Sequence, residues 1–544
     1  MIFKPELRVA IPTKDVLSYT FDNPRYDQNL PVFVDTNDPN RSISFKQAHR
    51  TVRQLIAGFR AKGLEKGDCV SIHSFNDIYY PILVLGIIGA GGVYTGTNPA
   101  YTSFELQHHL KTAKTRFIIS EPEVLGPVLV AIREANIPPG NIWIFDVLGQ
   151  QLPPGIPSWK ELLTHGEEDW LRFDNLKTAQ ETTAARLFSS GTTGLPKAVV
   201  ISHRNLVAEH ELVFEVNQRP YRTTRVVAIP LFHAASVPSV TVSTLKRGHA
   251  VYMMRRFSLG QFLESTERFN CTDLTLVPPI ALAIITSPLS KKRPYLKRTK
   301  SAISGAAPLS KDVQAKLRSL LGEEAPFTQL WGMTETCCVA IMFKYPEHDD
   351  TEYSLIPPRL IDDHGNNISA YGVPGELCIR GPIVTTGYFE NPAANAQAFD
   401  SDGWFKTGDI CYCDETTHKW YIVDRKKELI KVRGFQVSPS ELEAVLLSHP
   451  QIIDTAVIGI KFPGSREELP RAYVVRKPGN DGRNLTEDEV KQFLLGRLAK
   501  YKALEGGVQF IDAIPKNASG KILKRVLQEQ ANEDIESGAI KPKL

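Results

Sequence analysis

A chain of 544 residues is too long for a single hydrophobic core and predicts at least two domains. Its net charge of +4 is small for this length, and basic residues are interspersed with acidic ones, which argues against a nucleic-acid-binding surface. The seven cysteines are scattered, odd in number and lack the CxxC pairs of a zinc site, so we expect reduced, structural thiols.

Short β-rich runs alternate with helix-length segments along the first half of the chain. Apolar residues within 45–62 recur on one helical face that ends at Gly63, which predicts an amphipathic helix. The uncharged stretch 78–104 is continuously apolar only to about Val93 and contains Pro81, so it predicts a buried helix and a core strand, not a transmembrane segment. We expect strands at 69–72, 116–119, 142–145, 226–229, 251–253 and 274–277. This alternation predicts parallel sheets covered by helices.

The pattern changes near Asp424, where the β-rich runs become hairpin-like. The predicted elements on either side are strands at 375–379, 429–432, 455–458 and 472–475 and helices at 441–446 and 490–498. They predict a compact α+β unit of roughly a hundred residues, which is a normal domain size. The segment 424–428 is dense in charge and has no large apolar side chain, so we interpret it as a hinge.

The segment LFSSGTTGLPK at 187–197 has the composition of a phosphate-binding loop. Glycines let backbone N–H groups turn toward an anion, hydroxyls add donors, and Lys197 supplies a positive charge. The spacing is not that of a Walker A loop, because Ala198 follows the lysine. Taken alone, this composition fits an ordinary polar surface turn better than a binding loop.

Seven further motifs follow in order, and only together with them does the loop indicate a function. They are PLFHA at 230–234, SGAAP at 304–308, QLWGMTE at 329–335, GWFKTGD at 403–409, DRKKE at 424–428, KVRGFQ at 431–436 and PKNASGK at 515–521. In this order the set resembles the adenylate-forming superfamily of acyl-CoA synthetases, firefly-type luciferases and peptide-synthetase adenylation domains. The resemblance runs from about Phe45 to Arg525 and is greatest to the 4-coumarate-CoA ligase and medium-chain or aryl acyl-CoA ligase branch.

The resemblance implies both a fold and a reaction. The fold is α/β, with a large N-terminal domain at 1–424 of parallel sheets flanked by helices plus a β-barrel-like part, and a small mobile α+β C-terminal domain at 425–544. The reaction is an AMP-forming acid–thiol ligation that adenylates a carboxylic acid, releases pyrophosphate and forms a CoA thioester. ATP, Mg²⁺ and coenzyme A would take part. Because one anion must attack another, electrostatic preorganisation and proximity would carry the catalysis.

The resemblance also implies an ATP site. The residues implied for the phosphates are Ser189, Ser190, Gly191, Thr192, Thr193, Lys197 and, at the α-phosphate, Thr334. Gly305, Ala306 and Ala307 would pack against adenine, and Asp409 and Arg425 would hold the ribose hydroxyls. Gln329 is also implied as a cofactor-binding residue. Glu335 would bind Mg²⁺, a role that suits a carboxylate. Each of these residues, taken alone, also has a structural interpretation. The Thr334–Glu335 pair fits a helix start, Asp409 fits a turn, and Arg425 fits a solvated surface charge.

Three lysines are implied in the mobile domain and its hinge. In the resembling enzymes the lysine at the position of Lys521 bridges the acid and the phosphate during adenylation, and the alternative is a basic tail helix, since Lys524 and Arg525 follow. Lys431, with Gly434, would form a second face that meets CoA after a domain rotation, and Lys427 is the hinge position. Arg256 and Arg433 would pair with the phosphates of CoA.

The acid pocket is specified least. His233 would gate the carboxylate, although a lone histidine beside an apolar run is more often a packed core residue. Ala235 stands where coumarate ligases carry a tyrosine, Ser239 would line the same pocket, and Leu330 replaces a glycine. Trp331 replaces the commoner tyrosine that stacks on adenine. These departures argue against hydroxycinnamates and leave aliphatic and other aryl acids open.

The carboxyl-terminal Pro-Lys-Leu at 542–544 resembles a peroxisomal import signal, so we expect the import receptor as a partner and the peroxisome as the location, with the cytosol as the alternative. The amino terminus lacks the apolar segment of a secretory signal. Three alternative functions stay open. They are an adenylating enzyme that loads the thiol of a carrier protein, a luciferase-like oxidation, and a nucleotide-binding protein without catalysis.

Overall fold

The computed structural model describes residues 9–189, 195–307, 309, 311–347, 358–432, 435–463, 467–479, 485–517 and 520–540. The described residues fall into two compact units. The larger unit contains those of 9–357 and 380–403, and the smaller unit contains those of 358–379 and 404–540. The sheet that begins at residue 358 therefore groups with the residues that follow it. The boundary at 424 concerns motion of the C-terminal domain and stays a prediction.

The largest sheet described in the larger unit has six strands. In spatial order they are Ile142–Ile144, Thr115–Ser120, Cys69–His73, Val93–Thr97, Thr183–Ser189 and Lys197–Ser202. The first five strands run parallel, and the last pairs antiparallel with its neighbour. Both central strands, Cys69–His73 and Val93–Thr97, are buried at every position, as expected of strands covered on both faces. The predicted strands at 69–72, 116–119 and 142–145 are confirmed.

Two further sheets of four described strands complete the larger unit. One has the order Ser42–Ser44, Pro31–Asp35, Ala250–Met253, Thr224–Val227, and the other Asp273–Leu276, Ser301–Ser304, Phe327–Trp331, Ile341–Met342. The strand predicted at 226–229 ends two residues earlier, at Val227. The side chain of Asn76 explains this end, because it donates to the carbonyl of Ile229 at 3.0 Å and accepts from the N–H of Leu231 at 2.9 Å.

Helices cover these sheets. The α-helices of the larger unit are Val16–Phe21, Phe45–Ala61, Tyr80–Gly89, Ser103–Thr112, Leu125–Glu134, Leu176–Glu181, His203–Glu209, Ser243–Arg247, Leu259–Arg268, Pro278–Thr286, Leu289–Lys292, Lys311–Arg318 and Pro392–Ala398. Short 3₁₀ helices lie at Pro122–Val124, Pro139–Asn141, Trp159–Thr164 and Thr334–Thr336, and π-helices at His210–Glu215 and Val237–Val242.

Two of these helices confirm sequence predictions in detail. Phe45–Ala61 begins with a capping box formed by Ser44 and Gln47, and Gly63 follows with a φ of +80°, where glycine is favoured. Tyr80–Gly89 is buried at every position and leads into the core strand Val93–Thr97. Within the described ranges, no helix has both the length and the hydrophobicity needed to cross a bilayer.

The smaller unit begins with a five-stranded antiparallel sheet. Its spatial order is Asn367–Ile368, Pro358–Ile361, Gly375–Ile379, Phe405–Cys413, Trp420–Arg425. The β-barrel-like part implied by the resemblance corresponds to this sheet. In the described residues it is not a closed barrel, since its two edge strands, Asn367–Ile368 and Trp420–Arg425, do not pair with each other.

The rest of the smaller unit is the predicted α+β arrangement. Its strands are the hairpin Ile430–Val432 and Phe435–Val437 and the sheet Ile452–Ile460, Leu469–Arg476, Val508–Phe510. Its helices are Pro439–Leu447, Glu487–Leu495 and Lys524–Glu536, with a 3₁₀ turn at Lys500–Lys502. Leu442 and Leu446 of the first helix share a core with Val490 and Leu494 of the second. None of the seven cysteines of the chain forms a disulfide, as predicted.

Candidate functional site

The predicted phosphate loop joins the two strands of a hairpin. Thr183–Ser189 pairs antiparallel with Lys197–Ser202, and the register places Ser189 directly opposite Lys197. The structure therefore brings together the two ends of the loop. Ser190, Gly191, Thr192 and Thr193 lie outside the described residues.

A tyrosine links Lys197 to Glu335 across the larger unit. The Nζ of Lys197 lies 4.4 Å from the centroid of the Tyr388 ring, and the hydroxyl of Tyr388 donates to Oε1 of Glu335 at 2.9 Å. The backbone around Tyr388 is fixed against the hairpin, since the N–H of Phe389 donates to the carbonyl of Ala198 at 2.8 Å. Two residues predicted for the phosphates and for Mg²⁺ thus share one neighbour. Tyr388 was not predicted from the sequence, because no motif around it marks the contact.

Glu335 is held firmly in this arrangement. It is only 4 % exposed, and its carbonyl accepts from the N–H of Thr385 at 2.8 Å. Burial, together with the charge of Glu335, raises the pKa of Tyr388, so its hydroxyl stays protonated and donates. The helix start considered for Thr334 and Glu335 is a single 3₁₀ turn at Thr334–Thr336, which ends at Cys337 with a φ of +65°.

Tyr388→Phe tests this contact. The variant keeps the ring beside Lys197 but removes the hydrogen bond to the Glu335 carboxylate, and bonds to charged groups contribute about 1.5–3 kcal/mol. We expect kcat/KM for MgATP to fall about tenfold with little change in the KM for the acid, as measured by acid-dependent pyrophosphate release. An unchanged value for MgATP would show that Tyr388 does not support the Glu335 carboxylate.

Gly305, Ala306 and Gln329 form a second predicted group. A Cβ on Gly305 would lie 2.5 Å from Cδ1 of Leu330, so the leucine side chain occupies the space that glycine leaves open. Ala306 adopts a φ of +73°, a conformation that non-glycine residues seldom hold. The amide of Gln329 accepts from the N–H of Leu309 and donates to its carbonyl, both at 3.1 Å. Gln329 therefore fixes the backbone of Leu309, and the nearby Ala307 is half-buried.

Gly332 allows the chain to reverse directly before Thr334 and Glu335. A Cβ at this position would overlap with the backbone carbonyl of Cys338. We expect Gly332→Ala to destabilise the protein by about 1–3 kcal/mol, the usual cost of overpacking a rigid site, and to lower activity because the turn that carries Glu335 shifts. Thermal unfolding checks this against Gly126→Ala, whose Cβ would meet nothing within 4 Å. Equal stability of the two variants would contradict the expectation.

His233 lies in a backbone turn and is half-buried. The N–H of Ser236 donates to its carbonyl at 2.9 Å, and the N–H of Ala235 approaches its Nδ1 at 3.4 Å. Burial lowers the pKa of His233, so the imidazole is neutral at physiological pH. A neutral ring suits a pocket wall better than a cationic clamp.

Ala235 and Ser239 belong to the same turn and the π-helix that follows. The hydroxyl of Ser239 donates to the carbonyl of Ala235 at 2.5 Å, and Sγ of Cys338 lies 3.9 Å from that carbonyl. The structure therefore brings Ala235 and Ser239 together and adds Cys338, which the sequence analysis did not single out. The adjacent Cys337–Cys338 pair beside the TE motif was the one available signal. Arg256, which was predicted to bind the phosphates of CoA, is exposed, and its Cζ lies 3.7 Å from the centroid of the Phe75 ring.

The ribose residues Asp409 and Arg425 lie in the smaller unit. They are paired across neighbouring strands, and Nε of Arg425 lies 3.3 Å from Oδ1 of Asp409. Asp409 is 4 % exposed, so it is a buried strand residue and not the turn considered from sequence. The ion pair orients both side chains. Their contact with ribose stays a prediction.

The predicted hinge, 424–428, is tied to the smaller unit at both ends. Oδ2 of Asp424 accepts from the hydroxyl of Ser438 at 2.6 Å and from the N–H of Ser440 at 3.0 Å, at the start of the helix Pro439–Leu447. Glu428 pairs with Lys524 at 3.1 Å. Lys427 lies between these anchors. Rotation about this segment stays a prediction.

The remaining lysines of the smaller unit occupy different surroundings. Lys431 is exposed, and its N–H donates to Oε2 of Glu468 at 2.9 Å. Lys521 is half-buried, and its backbone is bound by Asn517, whose N–H donates to the Lys521 carbonyl and whose Oδ1 accepts from the Lys521 N–H, both at 2.9 Å. The basic tail helix considered as the alternative begins only at Lys524. Arg433 and Gly434 lie outside the described residues.

No group of three or more histidine, cysteine or acidic side chains in the described part of the chain could hold a metal by itself. Mg²⁺ does not require such a group, because it commonly takes one or two carboxylates together with substrate phosphates and water. The buried carboxylate of Glu335, next to the end of the phosphate loop at Lys197, fits that mode of binding.

Comparison with known proteins agrees with this geometry. Residues 21–389 match the AMP-binding enzyme family and residues 441–521 match the AMP-binding enzyme C-terminal domain. The chain is 50% identical over 543 residues to the phenylacetyl-CoA ligase epaB of Aspergillus niger, covering 98% of this chain and 100% of that protein. It is also 50% identical over 535 residues to the acyl-CoA ligase azaF of Aspergillus niger, covering 97% and 100%.

Solved structures share the fold. ATP-bound MatB from Rhodopseudomonas palustris superposes with a TM-score of 0.83 at 25% identity, covering 96% of this chain and 99% of that one. The anthranilate CoA ligase AuaEII superposes with a TM-score of 0.85 at 20% identity, covering 98% and 99%. The matches to both family domains and the full-length likeness to acyl-CoA ligases establish that this chain belongs to the AMP-binding enzyme family, among its acyl-CoA ligases.

Proposed function

We propose that this protein is an ATP-dependent carboxylic acid:CoA ligase. In the first step, a carboxylate oxygen of the acid attacks the α-phosphorus of ATP, and pyrophosphate leaves. In the second, the thiolate sulfur of CoA attacks the acyl carbon, and AMP leaves with the oxygen that it gained. The observation that carries this proposal is the Lys197–Tyr388–Glu335 contact, which gathers a cation and a carboxylate at the base of the phosphate loop.

Each requirement of the first step is assigned to particular residues of the chain. Ser189 and Lys197 hold the phosphates, Thr334 contacts the α-phosphate, and Lys521 bridges the acid and the phosphate while they react. Tyr388 keeps Glu335 in place by donating to it. Bound Mg²⁺ supplies charge neutralisation on the phosphates.

The neutral imidazole of His233, together with Ala235 and Ser239, lines the acid pocket. Asp409 and Arg425 hold the ribose. For the second step, Lys431 and Gly434 meet the thiol of CoA after rotation at Lys427, and Arg256 and Arg433 hold its phosphates. Peroxisomal import through residues 542–544 is proposed from the sequence alone, since those residues lie outside the described ranges.

The full-length likeness to a phenylacetyl-CoA ligase makes arylacetic acids the first substrates to test. We expect acid-dependent pyrophosphate release from MgATP within a panel of arylacetic, benzoic, cinnamic and fatty acids, with CoA converted to the matching thioester. Pyrophosphate release without any CoA consumption would contradict the ligase, and so would CoA consumption coupled to ADP.

A further inference from the structure

A buried arginine lies behind the segment that carries the pocket residues. Arg225, on the strand Thr224–Val227, is only 8 % exposed. Its Nη2 donates to the backbone carbonyl of Ser239, whose hydroxyl in turn donates to the carbonyl of Ala235. Its Nε is buried and has no hydrogen-bond partner. The guanidinium therefore bonds to the π-helix at Ser239, while its Nε–H has no acceptor.

The surroundings of Arg225 do not balance its charge. The carboxylate whose charge acts on it is Asp273, which already lies 3.4 Å from Nε of Arg219 and accepts from the hydroxyl of Thr272 at 2.7 Å. His249, whose Nδ1 is also buried without a partner, has its pKa lowered to about 3, first by burial and then by the charge of Arg225. It is neutral and offers no negative charge.

A buried acid, Glu209, contacts the backbone next to Cys338. Oε1 of Glu209 accepts from the N–H of Val339 at 2.7 Å, beside Cys338, and Oε2 has no partner. Burial raises the pKa of Glu209 well above its usual range, which favours the protonated carboxyl. Within the described residues, no carboxylate forms an ion pair with Arg225.

A buried guanidinium without an anion is costly, and proteins pair such groups or use them to bind a ligand. Guanidinium groups bind carboxylates well, because the planar fork matches the two oxygens. We propose that Arg225 forms the far end of the acid pocket and that the preferred substrate carries a second carboxylate there, distant from the one that is adenylated. This inference rests on the proposed function and specifies its substrate class.

The reaction itself is unchanged by this assignment. The second carboxylate stays ionised and bound, forms no bond and leaves with the thioester product. Its role is to fix how deeply the acid enters, so that the other carboxylate meets the α-phosphate. The length of the preferred diacid therefore reports the distance between Arg225 and the reacting centre.

Matched pairs of acids test the proposal. The panel contains linear diacids of four to ten carbons with their monoacid counterparts, and phenylacetic acid with 4-carboxyphenylacetic acid. The proteins are the wild type, Arg225→Met, Arg225→Lys and, as a control, Arg222→Met. Arg222 also donates to backbone carbonyls, of Gly248 and Pro31, but is exposed.

We expect the wild type and Arg222→Met to favour one diacid over its monoacid partner about 10- to 100-fold in kcat/KM, the range of a hydrogen bond to a charged group. Arg225→Met should reverse this preference, because the contact to the second carboxylate is lost, and Arg225→Lys should keep part of it. If Arg225 were merely structural, its substitution would instead change kcat/KM for the monoacid and the diacid equally.

The outcomes separate this inference from the proposed function. If the wild type makes CoA thioesters of monoacids at least as well as of every diacid, the inference is overturned and the ligase stands. If neither the monoacids nor the diacids yield a CoA thioester, the inference and the proposed ligase function are both overturned. If Arg225→Met does not fold, the wild-type preference and Arg225→Lys decide the question.

Discussion

Lys521→Ala is expected to lower acid-dependent pyrophosphate release about 10²- to 10³-fold, the usual effect of removing one preorganised donor from a transition state. The reason is the role proposed for Lys521, which is to supply the charge that bridges the acid and the phosphate as they react. The backbone of Lys521 makes two hydrogen bonds to Asn517. Those bonds use backbone atoms of Lys521, so the alanine variant retains them.

The second half-reaction provides the control for Lys521. With synthetic acyl-adenylate and CoA supplied, Lys521→Ala should form thioester within about threefold of the wild-type rate, because the bond to phosphate has already formed. Lys461→Ala, at an exposed lysine of the same unit, should leave both half-reactions unchanged. Equal losses in the two half-reactions of Lys521→Ala would indicate a general structural defect instead.

Glu335→Gln is expected to have an effect of similar size on adenylation. The amide keeps the shape of the side chain and can still accept from Tyr388, but it removes the negative charge through which Glu335 is proposed to bind Mg²⁺. We expect pyrophosphate release to fall about 10²-fold and the Mg²⁺ concentration for half-maximal activity to rise. Titration of Mg²⁺ at saturating ATP measures both.

Glu323→Gln is the matched control for Glu335, because it makes the same chemical change at an exposed position of the larger unit. It should alter neither rate nor Mg²⁺ dependence. If Glu335→Gln lost activity with an unchanged Mg²⁺ requirement, the carboxylate would act through the position of Tyr388 and not through the metal.

Local patterns predicted most of the fold. The alternation of β-rich runs and helical periods located the strands at 69–73, 115–120, 250–253 and 273–276 within one or two residues, because each is a short β-rich run that pairs in parallel with a neighbour. That the sheet beginning at Pro358 is open was not predicted. Closure of a sheet depends on whether its edge strands pair, which no local sequence pattern shows.

The site was predictable only where a motif carried it. Ser189, Lys197, Thr334 and Glu335 lie in sequence motifs, and the antiparallel hairpin and the turn at Thr334–Thr336 position them. Tyr388 contacts Glu335 from 53 positions along the chain, so only the fold reveals it. Arg225 is similar, because its lack of an anion is a property of its surroundings and cannot be read from neighbouring residues.

Oxygen transfer from the acid tests the central claim most directly. The wild type is incubated with MgATP, CoA and an acid of the active class labelled with ¹⁸O in both carboxylate oxygens, and the AMP is analysed by mass spectrometry. Attack of the carboxylate on the α-phosphorus predicts one ¹⁸O atom in AMP for each thioester formed. Unlabelled AMP, or label in released phosphate with ADP as the other product, would contradict an acyl-adenylate mechanism.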